Sequence, residues 1–248
     1  MKLTERQENN AIQIIDVFKT NGINNPFVIA AVLSVCYKET GINPISEDLY
    51  YTASRIMKVW TRISLEKAKQ LQFKPVELGN YVYGDQPTGY RSKSRSLGNG
   101  EKEGFLYRGR GYNQLTGKNQ YKTYGNLINQ NLVLNPDLVL NPEIAAKILF
   151  IYMQRNAIAY KIDLNKLNLD NSYNVIYSFN AGINPKLTSE QIQAQDTTGG
   201  YLKGKKFYNY FLDFVNNTGP IKKKINIGLI LLILGVSLII IKNKKLKK

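Results

Sequence analysis

Residues 26 to 41 read PFVIAAVLSVCYKETG, and from Pro26 to Cys36 only Ser34 interrupts the apolar run. Eleven nearly unbroken apolar residues with no polar face predict a helix buried in a core, with Pro26 in its first turn and Gly41 as its stop. Glu39 then falls in the last turn. There the negative end of the helix dipole and the apolar surroundings both disfavour an ionised carboxylate. A carboxylic acid kept protonated near neutral pH is what glycoside hydrolysis requires of its general acid. The plainer alternative is that Glu39 marks the solvated end of a core helix.

The rest of the composition narrows the chemistry. The chain has 248 residues, 43% of them apolar, enough for one well-buried domain with appendages. It contains no histidine, which removes Ser-His-Asp triads, Cys-His amidases and His-ligated zinc hydrolases. Carboxylates remain for acid/base work, and no metal or cofactor is expected. The single cysteine, Cys36, lies on the apolar helix and forbids an internal disulfide. The formal charge of +16 is uneven: eight lysines lie in residues 222 to 248, where there are no acids, leaving +8 for residues 1 to 219. Such a surplus suits a polyanion such as an anionic cell wall or a membrane surface, and no nucleic-acid motif accompanies it.

Thr4-Glu5-Arg6-Gln7 has the form of a capping box, and Ala11, Ile12, Ile14, Ile15 and Phe18 give an amphipathic helix ending at Gly22. This N-terminal stretch belongs to the fold rather than to a signal peptide. Further helices are predicted over 52–60, 64–73, 75–83, 142–158, 173–179 and 200–215. Residues 84 to 104 are polar and Gly-rich and read as a long loop. The boundaries that follow are a domain over 1–217, a basic linker over 218–224, a transmembrane helix over 225–241 and a basic tail over 242–248. Ile225 to Ile241 is 17 uncharged residues between lysine clusters. At helical rise it spans roughly 25 Å, and flanking lysines can snorkel across the remainder of a ~30 Å hydrocarbon core. Three lysines before it and five after lean weakly toward a cytoplasmic C-terminus.

Three segments form a pattern: Tyr37-Lys38-Glu39-Thr40-Gly41; Glu47-Asp48-Leu49-Tyr50-Tyr51-Thr52-Ala53-Ser54; and Arg108-Gly109-Arg110-Gly111-Tyr112-Asn113-Gln114-Leu115-Thr116-Gly117, with Asn119-Gln120-Tyr121 after it. From about residue 11 to 215 the chain resembles the glycoside hydrolase family 19 chitinases, and more closely their phage endolysin branch. The resemblance implies a mainly α, lysozyme-like fold and hydrolysis with inversion of the anomeric centre. It implies Glu39 as general acid and Glu47 as base, with Asp48 the alternative because the endolysin branch commonly places that carboxylate nine residues after the acid. It also implies that Thr116 helps to hold the attacking water and that Gln114 and Asn180 bind sugar. Arg110 could position a carboxylate or a ligand, and Tyr112, with other tyrosines beside the motifs, could stack on a pyranose ring.

Inversion needs two carboxyl groups roughly 6.5 to 9.5 Å apart, one protonated and one ionised. A buried helix end for Glu39 and a mobile loop for Glu47 would separate these roles. Lys38 stands where the family commonly has histidine; an ammonium close to Glu39 would oppose protonation, and as the next residue round the helix it is expected to point elsewhere. The expected activity is cleavage of β-1,4 bonds in peptidoglycan by a membrane-anchored enzyme of a phage, acting in lysis or in virion entry. Its partners would be glycan strands, and a lipid membrane through residues 225–241. Two alternatives stay open. Glu39-Thr40-Gly41-Ile42-Asn43-Pro44 also resembles an element of goose-type lytic transglycosylases, which need no base, and the chain could be a non-catalytic wall-binding virion protein.

Overall fold

The computed structural model describes residues 1–85 and 97–218. The centre of the polar loop and the expected linker, membrane span and tail lie outside the described residues, apart from Thr218. In chain order the elements are α1 (Glu5–Thr20), α2 (Pro26–Thr40), β1 (Ile45–Ser46), α3 (Ala53–Val59), α4 (Leu65–Leu71), α5 (Pro75–Tyr83), β2 (Arg110–Gly111) and α6 (Lys118–Ile128). They continue with α7 (Pro142–Tyr160), α8 (Ser172–Ala181), α9 (Ser189–Gln195), α10 (Gly200–Lys205) and α11 (Tyr208–Asn217), and short 3-10 turns at Pro136–Leu140 and Leu164–Lys166. The chain is thus mainly helical, as its periodicity predicts. No helix among the described residues is long and apolar enough to cross a membrane.

The sequence reading expects one domain over 1–217. The described residues form two compact units, one made of residues 1–44 and 142–218, the other of 45–141. In the first unit α2 is the central element. Its residues from Val28 to Cys36 are all buried, and α1, α8, α10 and α11 pack around it while α7 packs on α1. A helix apolar on every face can be accommodated only where it is covered on every face. Asn25 caps its start, Pro26 occupies the first turn, and Gly41 closes it at φ +61°. Two amides of α1 tie down the exit: Gln7 Nε2 donates to Gly41 O at 2.9 Å and Asn10 Nδ2 to Ile42 O at 2.8 Å. Gln7 also completes the expected capping box with Thr4.

The second unit has its own core, formed by Leu49, Ile56, Trp60, Leu71, Leu78 and Val82 with their neighbours. The antiparallel pairing of β1 and β2 sets Ile45 opposite Gly111 and Ser46 opposite Arg110. One predicted helix is corrected: 200–215 is two helices, α10 and α11. The chain breaks at Lys206 and Phe207, whose ring packs edge-on against Tyr37 of α2 at 4.6 Å.

Candidate functional site

Glu39 sits in the last turn of α2, as its sequence position dictates, and its side chain is 30% exposed. Asn180, near the end of α8, donates from Nδ2 to Glu39 Oε1 at 2.9 Å. Both line a cavity of about 320 Å³ with Lys38, Tyr177, Asp196 and Thr198. The expectation that Lys38 points away is corrected, because its Nζ lies 2.5 Å from Glu39 Oε1. Adjacent helix residues do not face each other, so the pairing depends on the long lysine stem curling back. Gly200 leaves the room for it: a Cβ there would lie 2.6 Å from Lys38 Nζ and 2.9 Å from Tyr177 Oη. On the same wall burial pushes Asp196 upward. The donors Tyr201 N–H, Thr198 and Tyr177 outweigh it and hold the carboxyl below its ordinary value.

The second unit brings Glu47, Gln114 and Thr116 around Gly109. The Glu47 N–H donates to Gly109 O at 2.9 Å. A side chain at Gly109 would meet Gln114 Oε1 at 2.9 Å and Thr116 Oγ1 at 3.4 Å, so the missing Cβ permits the approach. Between Arg110 and Leu115 the chain turns tightly through Gln114 at φ +51°. Gln114 Nε2 donates to Gly111 O at 2.9 Å and Thr116 Oγ1 to Gln114 O at 2.8 Å.

Glu47 and Asp48 are adjacent but differently placed. Asp48 is exposed, and its Oδ1 accepts the Tyr50 N–H at 3.0 Å in a local turn. Glu47 is half-buried, and Tyr83 Oη donates to both of its carboxylate oxygens, at 3.1 and 3.0 Å. Burial raises the Glu47 pKa above the ordinary carboxylate value; the Tyr83 hydroxyl, the Gly109 backbone and the Arg108 guanidinium oppose the rise, and Asp48 adds to it. The expected placement on a mobile loop is corrected: Glu47 is fixed beside a strand and partly withdrawn from water.

This asymmetry has a sign in stability. Folding favours protonated Glu47, so its contribution is fully present below about pH 4.5 and is lost as pH rises through the folded value. Glu47→Gln is thus expected to melt higher than wild type at pH 7, with the gain vanishing near pH 3.5, in thermal melts at the two pH values.

Two expected sugar-binding residues are corrected by burial. Arg110 is 1% exposed. Its Nε donates to Asp137 Oδ1 at 2.8 Å and its Nη1 to Leu106 O at 2.8 Å and Tyr121 Oη at 2.9 Å. It does hold a carboxylate, as one reading allowed, but that carboxylate is Asp137. Tyr112 is also buried and presents no face to a ligand. Tyr50 is exposed and stands 5.1 Å from the exposed ring of Phe73.

The sequence reading missed Tyr83, Tyr177 and Asp196. For Tyr83 a signal was present: it ends a Pro-started helix immediately before the polar loop. Among the described residues no group of three His, Cys, Asp or Glu side chains is placed to hold a metal ion. No protein-family model matches the chain, and no curated protein matches it.

Proposed function

We propose that this protein is a lysozyme-like glycosidase of the family 19 endolysin kind that hydrolyses β-1,4 linkages in peptidoglycan with inversion, anchored to a membrane through residues 225–241. The observation that carries the reading is the hydrogen bond from Asn180 to Glu39. Residues 141 positions apart, one expected as the acid and the other as a sugar ligand, meet on the wall of one polar cavity. In the proposed reaction Glu39 protonates the glycosidic oxygen as the C1–O bond breaks, and a water attacks C1 from the opposite face. Glu47 takes that water's proton. Raised proton affinity makes Glu47 a stronger base as long as it remains ionised at the working pH. The resemblance assigns the holding of that water to Thr116, which with Gln114 stands beside Gly109, the residue whose carbonyl accepts from the Glu47 N–H.

Asp48 is occupied in its turn and is not assigned a role. The lysine clusters on either side of residues 225–241 support a single span, and the basic excess suits an anionic wall.

Product analysis of purified peptidoglycan tests the reading. Wild type is expected to release reducing ends of inverted configuration, Glu47→Gln to lose at least 100-fold in rate, and Asp48→Asn to retain activity. Anhydro ends would establish a transglycosylase, and binding without cleavage would leave a wall-binding protein.

A further inference from the structure

Tyr83 Oη lies within hydrogen-bond distance of both oxygens of Glu47, at 3.1 and 3.0 Å. A hydroxyl placed between two carboxylate oxygens holds the group toward it through a bifurcated hydrogen bond, leaving the outward lone pairs for another proton. Tyr83 is itself held at three points. Its ring lies edge-on to Trp60, with centroids 6.3 Å apart, and packs on the core of the second unit. Its carbonyl accepts from Asn99 Nδ2 at 2.8 Å. Asn99 is buried, and its Oδ1 accepts the Lys118 N–H at 2.7 Å, so one amide joins the end of α5 to the start of α6. A phenol so restrained loses little freedom when it bonds a carboxylate.

We propose that Tyr83 is a positioning residue for Glu47, orienting the carboxylate for proton abstraction and setting the pH at which it becomes a base. The proposal rests on the reading of Glu47 as the catalytic base. Removing the hydroxyl takes away a donor that favours the ionised form, so the Glu47 titration must move upward. Among the described residues Arg108 ahead of β2, the Gly109 backbone, Tyr51 ahead of α3 and Asp48 beside it also bear on Glu47. None is altered by the substitution.

The test uses the full 248-residue chain. The carboxyl carbon of Glu47 is followed by NMR from pH 3 to 9, assigned by its loss in Glu47→Gln. In Tyr83→Phe the midpoint is expected to rise, and kcat on peptidoglycan to fall about tenfold with KM within twofold. The acidic limb of the kcat profile should rise with the midpoint. 3-Fluorotyrosine at position 83, a stronger donor of nearly the same shape, should move midpoint and limb downward, and it serves even if the phenylalanine variant folds poorly. An unchanged midpoint in the fluorotyrosine protein overturns the proposal, as does a rate loss in Tyr83→Phe with no movement of the limb. If instead Glu47→Gln cleaves glycan normally while the NMR midpoint still follows position 83, Tyr83 governs Glu47 but the reading of Glu47 as base has failed.

Discussion

Arg110→Met lowers the melting temperature by roughly 10 °C, the largest stability loss expected of any single change to the motif segments. The guanidinium is 1% exposed and serves Leu106 O, Arg108 O and Tyr121 Oη as well as Asp137. Asp137 is 74% exposed, so the ion pair as such contributes little. The loss comes from the guanidinium's hydrogen bonds to Leu106 O, Tyr121 Oη and Arg108 O, each costing about 1 to 1.5 kcal/mol, while the Tyr121 hydroxyl continues to donate to Arg108 O at 2.8 Å. A total of about 3 to 4 kcal/mol converts to roughly 6 to 16 °C for a chain of this size. Methionine fills most of the volume, so the loss is one of hydrogen bonds rather than of packing. Calorimetry of the two proteins side by side measures it; a difference under 2 °C would show that the acceptors find other donors. Arg110→Lys should be nearly as damaging, because one ammonium cannot reproduce the fork that reaches Asp137 and three oxygens at once.

Under the proposed mechanism Glu39→Gln is expected to slow glycan cleavage about 1,000-fold, within the range for removal of a general acid. The fold is expected to survive. The carboxylate's ion pair with Lys38 is partly exposed and contributes at most about 1 kcal/mol, and a glutamine oxygen can still accept from Asn180. Turbidity clearing of cell-wall suspensions, with a melting curve on the same preparation, separates lost chemistry from lost structure. Clearing at the wild-type rate by Glu39→Gln would remove the acid from the proposed mechanism, whatever becomes of Glu47.

How far the sequence carried the structure differs from element to element. Helix α2 was legible to the residue because its signals are local: Pro26 at one end, Gly41 at the other and no polar face between. Helix α5 was equally clear, from Pro75 to Tyr83. Helix α6 was missed because it starts after Gly117 with no side-chain cap. Helix α9 carries a Thr188 and Gln191 capping box that could have been found, but seven residues give little periodicity. The break between α10 and α11 is tertiary in origin, since Phe207 turns toward Tyr37.

The site divides in the same way. The family resemblance named Glu39, Glu47, Gln114, Thr116 and Asn180, but a motif match does not tell which way a side chain faces. Arg110 and Tyr112 therefore passed as ligands of sugar when they are interior. Tyr83 lies 36 residues from Glu47, and nothing local in either segment announces their bond.

Gly200 offers a lever of an uncommon kind. A methyl group there would meet Lys38 Nζ at 2.6 Å and Tyr177 Oη at 2.9 Å, both ends of side chains rather than backbone, so the lysine end and the phenol would have to shift. Residue 200 thereby bears on where the Lys38 amine stands relative to Glu39. In the proposed mechanism, residue 200 is a remote dial on the charge beside Glu39, adjustable without rewriting the motif that carries it.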